Sequence, residues 1–164
     1  MELKTMKDLY VSLLQDSYDS ERQIIRALPK MADAAETPEL KQAFEGHLEE
    51  TKGQVIRLEQ VFGMLGVKPK GKSCAATKGL VDEAQDLMSE AVEEGVMDAG
   101  LIANAQKVEH YEIASYGTLV EFAKLLGFQD QVRLLDEILQ QEKATDVKLT
   151  KLAESKVNRM AQAA

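Results

Sequence analysis

Residues 107–119 read KVEHYEIASYGTL, and the periodicity of this stretch decides the fold. Followed in both directions at spacings of three and four, it extends into one helical stripe: Leu101, Ala105, Val108, Glu112, Tyr116 (or Ser115), Leu119, Ala123 and Leu126. The stripe is apolar except at its centre, where Glu112 interrupts it. Glu109 lies one turn earlier on the same side.

Three more stripes of the same kind flank it. Tyr10, Leu13, Ser17, Glu21, Ile24, Leu28 and Met31 form one. Leu40, Phe44, His47, Thr51, Gln54, Leu58 and Val61 form the second, with Glu50 three residues after His47. Val132, Leu135, Leu139, Glu142, Asp146, Leu149 and Leu152 form the third. Each has a polar centre where a core-facing helix should be apolar.

Turn and cap signals divide the chain into helices at about 5–35, 38–65, 76–94, 98–126 and 129–161. Thr5 is an N-cap with Asp8 three residues on, the spacing of a capping box. Pro29 should kink or loosen the first helix. Thr37-Pro38-Glu39 restarts a helix with an N-cap, a proline and an acid in order. GVKPKGK, residues 66–72, is a loop; it lacks Walker spacing and a preceding strand. Gly95 and Gly127 punctuate the second half. The two hairpins are tight and the link between them is long. This is the connectivity of a ferritin-like antiparallel four-helix bundle, with an extra helix in the crossover and the whole chain as one domain.

Composition agrees and excludes other classes. The chain has 164 residues, of which 45% are hydrophobic, enough for one real core. A net charge of −8 repels phosphate backbones, so nucleic acid is not an expected partner. No apolar run approaches the roughly 20 residues of a membrane span. Asp8, Asp16 and Asp19 break any apolar h-region, so residues 1–19 are not expected to act as a signal peptide. Cys74 is the single cysteine, which fits a reducing cytoplasm. It falls at a loop-to-helix junction and reads as a bystander.

The carboxylates carry the chemistry. Burying one unpaired carboxylate costs several kcal/mol, and here four helices bring polar groups to mid-length. Protonation is one escape; divalent cations are the more economical one. Spacing adds an internal symmetry: 29 residues separate Glu21 from Glu50, and 30 separate Glu112 from Glu142. Two matched hairpins would form a two-half site, as in di-metal carboxylate bundles. His47 is a candidate ligand because of Glu50, and Asp146 a ligand or an orienting partner. His110 is off the stripe. Tyr18 and Tyr116 flank the cluster as packing residues or hydrogen-bond donors.

The stretches HLEET (47–51), KVEHYEIASYGTL (107–119) and QEKATD (141–146) resemble the YciF/YciE family of bacterial stress proteins, a branch of the ferritin-like superfamily. The resemblance runs nearly the whole length. It implies a ferritin-like fold, a homodimer and two divalent metal ions, Fe or Mn, on Glu21, Glu50, Glu109, Glu112 and Glu142. The usual Glu-x-x-His pairs are missing: Gly53 follows Glu50 and Thr145 follows Glu142 where histidines are expected. Two functions compete. One is a metal protein of stress response handling metal, oxygen or peroxide, an oxidoreductase if it turns over. The other is a non-catalytic bundle acting through its dimer or a partner, with vestigial metal binding. A ferritin-type storage shell ranks below both.

Overall fold

The computed structural model describes residues 3–70, 72–90, 92–93 and 95–164. Its elements are α1 (Met6–Ala34), α2 (Pro38–Leu65), α3 (Ala75–Ser89), α4 (Val96–Leu125), α5 (Gln129–Leu152), a π-helical turn (Ala153–Val157) and α6 (Asn158–Ala163). No strand occurs among the described residues.

Several boundaries follow from side chains read above. Thr5 and Asp8 form the full capping box at the start of α1. Gly66 ends α2 in the left-handed region at φ 65°, and Gly95 precedes α4 at φ 84°. Pro29 stands inside α1 without ending the helix. The expected helix at 76–94 is shorter, closing at Ser89; Glu94 lies outside the described residues. The last helix is not a uniform α-helix to 161, because the π turn interrupts it after Leu152.

Thr37 caps α2 by backbone conformation alone. The capping role there passes to a distant residue. Asp98, fully buried on α4, accepts from the amides of Glu36 (2.7 Å) and Thr37 (2.8 Å). One carboxylate thus ties the α1–α2 turn to the start of α4 and satisfies two donors at a helix N-terminus.

The four long helices form a square in which α1 packs on α2 and α4, and α5 on α4 and α2. The α3 crossover lies on α1 and α4. It is anchored at Cys74, whose amide donates to Asp19 (2.8 Å) and whose sulfur is 3.1 Å from the Tyr111 hydroxyl.

The core is split in two. One apolar cluster takes Tyr10 and Leu14 from α1, Leu58 and Phe62 from α2, Leu119 from α4 and Leu135 from α5. The other takes Ile24 and Leu28 from α1, Leu40 and Phe44 from α2, Leu101 from α4 and Leu149 from α5. The start of α1 therefore shares a cluster with the end of α4, so these helices run antiparallel. Between the two clusters lies a buried polar layer: Ser17, Glu21, His47, Thr51, Gln54, Glu109, Glu112 and Glu142.

Candidate metal centre

Each long helix contributes to this layer at the point where its stripe turns polar. Glu21 comes from α1, His47 from α2, Glu109 and Glu112 from α4, and Glu142 from α5. All five are at most 5% exposed. One ligand atom each from His47, Glu109, Glu112 and Glu142 lies within 4.8 Å of the others. Nε2 of His47 is 3.3 Å from Glu109 and 3.9 Å from Glu142. Glu21 joins through its neighbours, since it shares a side-chain hydrogen bond with Glu112 and accepts one from the Tyr116 hydroxyl.

Electrostatics shows how strained this layer is without a cation. Burial pushes the Glu21 carboxyl up to about 7, although the Tyr116 hydrogen bond and the His47 charge oppose it. Burial, then the charges of Glu21, Glu142 and Glu109, hold Glu112 well above the usual carboxylate range. Glu142 is raised in the same way, by burial and by Glu109. For His47 burial works against the charged form, but Glu109, Glu50 and Glu142 outweigh it and hold the imidazole well above its ordinary value. One imidazolium cannot balance four buried carboxyl groups.

The donor atoms fit a metal. Glu21 Oε2, His47 Nε2, Glu109 Oε2, Glu112 Oε2 and Glu142 Oε2 are all buried and lack a hydrogen-bond partner. Buried polar atoms are normally satisfied; with Gln54 Oε1 these make six orphans in one layer, and the five metal-type donors among them have the composition of a carboxylate-rich divalent site with one nitrogen donor. The surrounding shell is already oriented. Gln54 donates to Glu142, Tyr116 to Glu21, and the Thr51 hydroxyl to the His47 carbonyl (2.8 Å).

The expected residues divide clearly. Glu21, His47, Glu109, Glu112 and Glu142 meet. Glu50 stands at the rim, about half exposed, with Oε2 3.6 Å from His47 Nδ1. Asp146 stays outside. Its Oδ1 accepts from Gln106 (3.0 Å) and faces His110 Nε2 at 3.2 Å. Asp146 lies one turn beyond Glu142 on α5, and its carboxylate is taken up by Gln106 and His110 instead of the layer. Tyr18 also turns away, donating to Glu59 (3.0 Å). Thr145, at a position where a histidine would complete a Glu-x-x-His pair, places its hydroxyl 3.5 Å from His47 Nδ1. The pairing of Gln106 with Asp146 crosses from α4 to α5, and no local pattern announces it.

Relatives share this architecture. YciF of Escherichia coli (strain K12) is 48% identical over 163 residues, spanning 99% of this chain and 98% of that one. The crystal structure of that E. coli protein, described as a stress protein, superposes with a TM-score of 0.92 at 49% identity over 95% of this chain and 99% of that one. A structure from Rhodopseudomonas palustris gives 0.89 at 48% identity, covering 91% and 95%. Ferritin-like diiron-carboxylate proteins of Bacillus anthracis str. Ames give 0.68 at 19% identity, covering 92% and 99%, which establishes a shared fold. Residues 5–162 match the domain of unknown function DUF892, and the chain belongs to that family.

Proposed function

We propose that this protein holds two divalent ions, Fe or Mn, between the four long helices and handles oxygen, peroxide or the metal itself during stress. The observation that carries this reading is the set of orphaned donor atoms on Glu21, His47, Glu109, Glu112 and Glu142, which converge from four helices into one buried layer. The description of the E. coli relative as a stress protein supports the physiological setting. A homodimer belongs to the same reading and rests on the family resemblance; a reducing cytoplasm rests on the single free Cys74.

Each side chain has a distinct task. His47 supplies the one nitrogen donor. Glu109, Glu112 and Glu142 supply oxygens from the opposite side of the bundle, and Glu21 supplies another from α1. Burial and the neighbouring carboxylates hold the Tyr116 hydroxyl well above its ordinary pKa. It therefore stays protonated and fixes the orientation of Glu21. Gln54 does the same for Glu142. Glu50, at the rim, faces His47 Nδ1 and so orients the imidazole from its other ring nitrogen. Bound metal would supply Lewis acidity and, for an oxidisable ion, electrons.

Loading metal-free protein with Fe(II) or Mn(II) and measuring retained metal by elemental analysis tests the proposal. Two ions per chain are expected, falling to fewer than one in Glu112→Gln. Failure of the wild-type chain to retain stoichiometric metal of either kind would sink it.

A further inference from the structure

Beside the His47–Glu109 edge of the cluster the bundle leaves a cavity of about 150 Å³. It occupies the half of the core between Phe44, Met31 and Leu149, and the α3 crossover closes one side with Leu80, Val81 and Ala84. Natural cores pack to the density of organic crystals, and an empty space of this size is costly to keep.

The space arises from residue choice. Ala27 on α1, Ala43 on α2, Ala84 on α3 and Ala105 on α4 are all buried, and all four line the cavity. A larger apolar side chain at any one of them would fill part of it. Four helices thus each place a small residue at the same void, next to a cluster of unpartnered metal-type donors. His47 and Glu109 line it too, so the cavity and the cluster share a wall. Gly46, Ala144, Glu50 and Lys148 lie where it reaches the surface between α2 and α5. Gly46 and Ala144 leave little bulk there.

We infer that this cavity is a binding site for one small, uncharged, largely apolar organic molecule, roughly the size of benzene or toluene. Enclosed apolar cavities of similar volume take up such molecules, and most of this lining is apolar. The lining is mainly apolar, its polar groups being His47, Asn104, Glu109 and Thr145 with Glu50 and Lys148 at the rim, and this disfavours a ligand with a charge of its own to desolvate. The inference deepens the proposed function, and its functional meaning rests on that reading: a ligand held here lies beside the carboxylate cluster, which makes such a molecule, rather than the metal alone, the candidate substrate. Binding itself requires no metal.

Toluene is the probe. Calorimetric titration of metal-free protein should give saturable binding with a stoichiometry of one, and toluene should raise the thermal midpoint, because a ligand that binds only the folded state stabilises it. Ala84→Leu, on the crossover and away from the cluster, should weaken binding at least tenfold. Ala27→Leu is the second variant; circular dichroism and thermal unfolding confirm that each is folded. Absence of saturable binding to the wild-type chain overturns the inference, as does undiminished binding in both folded variants. Metal content measured on the same samples separates the two claims. Toluene binding without metal retention removes the metal reading and leaves the cavity site; metal retention without toluene binding does the reverse.

Discussion

Nε2 of His47 on α2 lies 3.3 Å from the Glu109 carboxylate on α4, joining two diagonally opposed helices through the centre of the bundle. Both side chains are at most 5% exposed. The contact is the shorter of the two pairings that His47 Nε2 makes with buried carboxylates. Removing one member of a buried pair leaves the other uncompensated, at a cost of roughly 3–5 kcal/mol. His47→Leu should therefore lower the stability of metal-free protein by about that amount in a urea titration. A change below about 1 kcal/mol would contradict a stabilising charge pairing between the two side chains.

Glu112 should behave in opposite ways with and without metal. Its carboxyl is surrounded by Glu21, Glu109 and Glu142 and held well above the usual range. Glu112→Gln keeps the shape and removes the repulsion, so it should stabilise the metal-free protein by about 1–3 kcal/mol. The same change should abolish most of the rise in thermal midpoint that Fe(II) or Mn(II) gives the wild-type chain. Paired melting curves, apo and loaded, check both signs. Destabilisation of the apo protein would mean that Glu112 is needed as an anion even without a cation.

The pH profile of the metal-free protein follows from the same groups. Glu21, pushed up to about 7, and Glu112 and Glu142, each held well above the ordinary carboxylate value by burial, bind protons more tightly folded than unfolded. Their contribution is complete below the ordinary carboxylate range and is lost as pH rises through the folded values. His47 is raised too, so its contribution is complete below its ordinary value and is lost with rising pH in the same direction. Exposed Asp8, Glu39 and Glu137, held low by Thr5, Lys156 and Arg57, act oppositely in strong acid. Metal-free protein should be most stable near pH 5 and lose stability steadily to pH 8. Loaded protein should show the reverse slope, because metals compete with protons for these ligands. Melting midpoints across that range, with and without metal, provide the check; a flat apo profile would contradict the raised values.

Asp98 should matter as much as any core residue, although it lies far from the metal-type cluster. Its carboxylate accepts two backbone amides from the α1–α2 turn while fully buried. Hydrogen bonds to a charged group contribute about 1.5–3 kcal/mol each. Asp98→Ala should cost about 3–5 kcal/mol in denaturant unfolding, with little effect on metal stoichiometry if the chain stays folded. A loss under about 1 kcal/mol would show that water replaces the carboxylate at the turn.

Much of the architecture is local information. The Thr5–Asp8 capping box, the Thr37-Pro38 restart and the positive-φ glycines Gly66 and Gly95 mark element ends through interactions within a few residues, so they are visible in sequence. The polar interruption of four stripes is visible for the same reason: helical periodicity maps one face directly onto sequence positions. What is not visible is how far along a face a side chain can drift and still reach the layer. Asp146 and Tyr18 sit near the right faces and turn to Gln106 and Glu59 instead. Capping of the α1–α2 turn by Asp98 spans about sixty positions, and no short-range pattern encodes it.

By itself, then, the sequence determined the helical class, the long crossover and the presence of carboxylates at mid-bundle, because each depends on spacing along one helix. The tertiary structure decided which of those carboxylates meet. It brought Glu21, His47, Glu109, Glu112 and Glu142 into one buried layer, left Glu50 at the rim and kept Asp146 on an outer pairing. It also opened the cavity between four alanines on separate helices. Both outcomes depend on the rotation and offset of helices against one another, which packing sets and no single stripe contains.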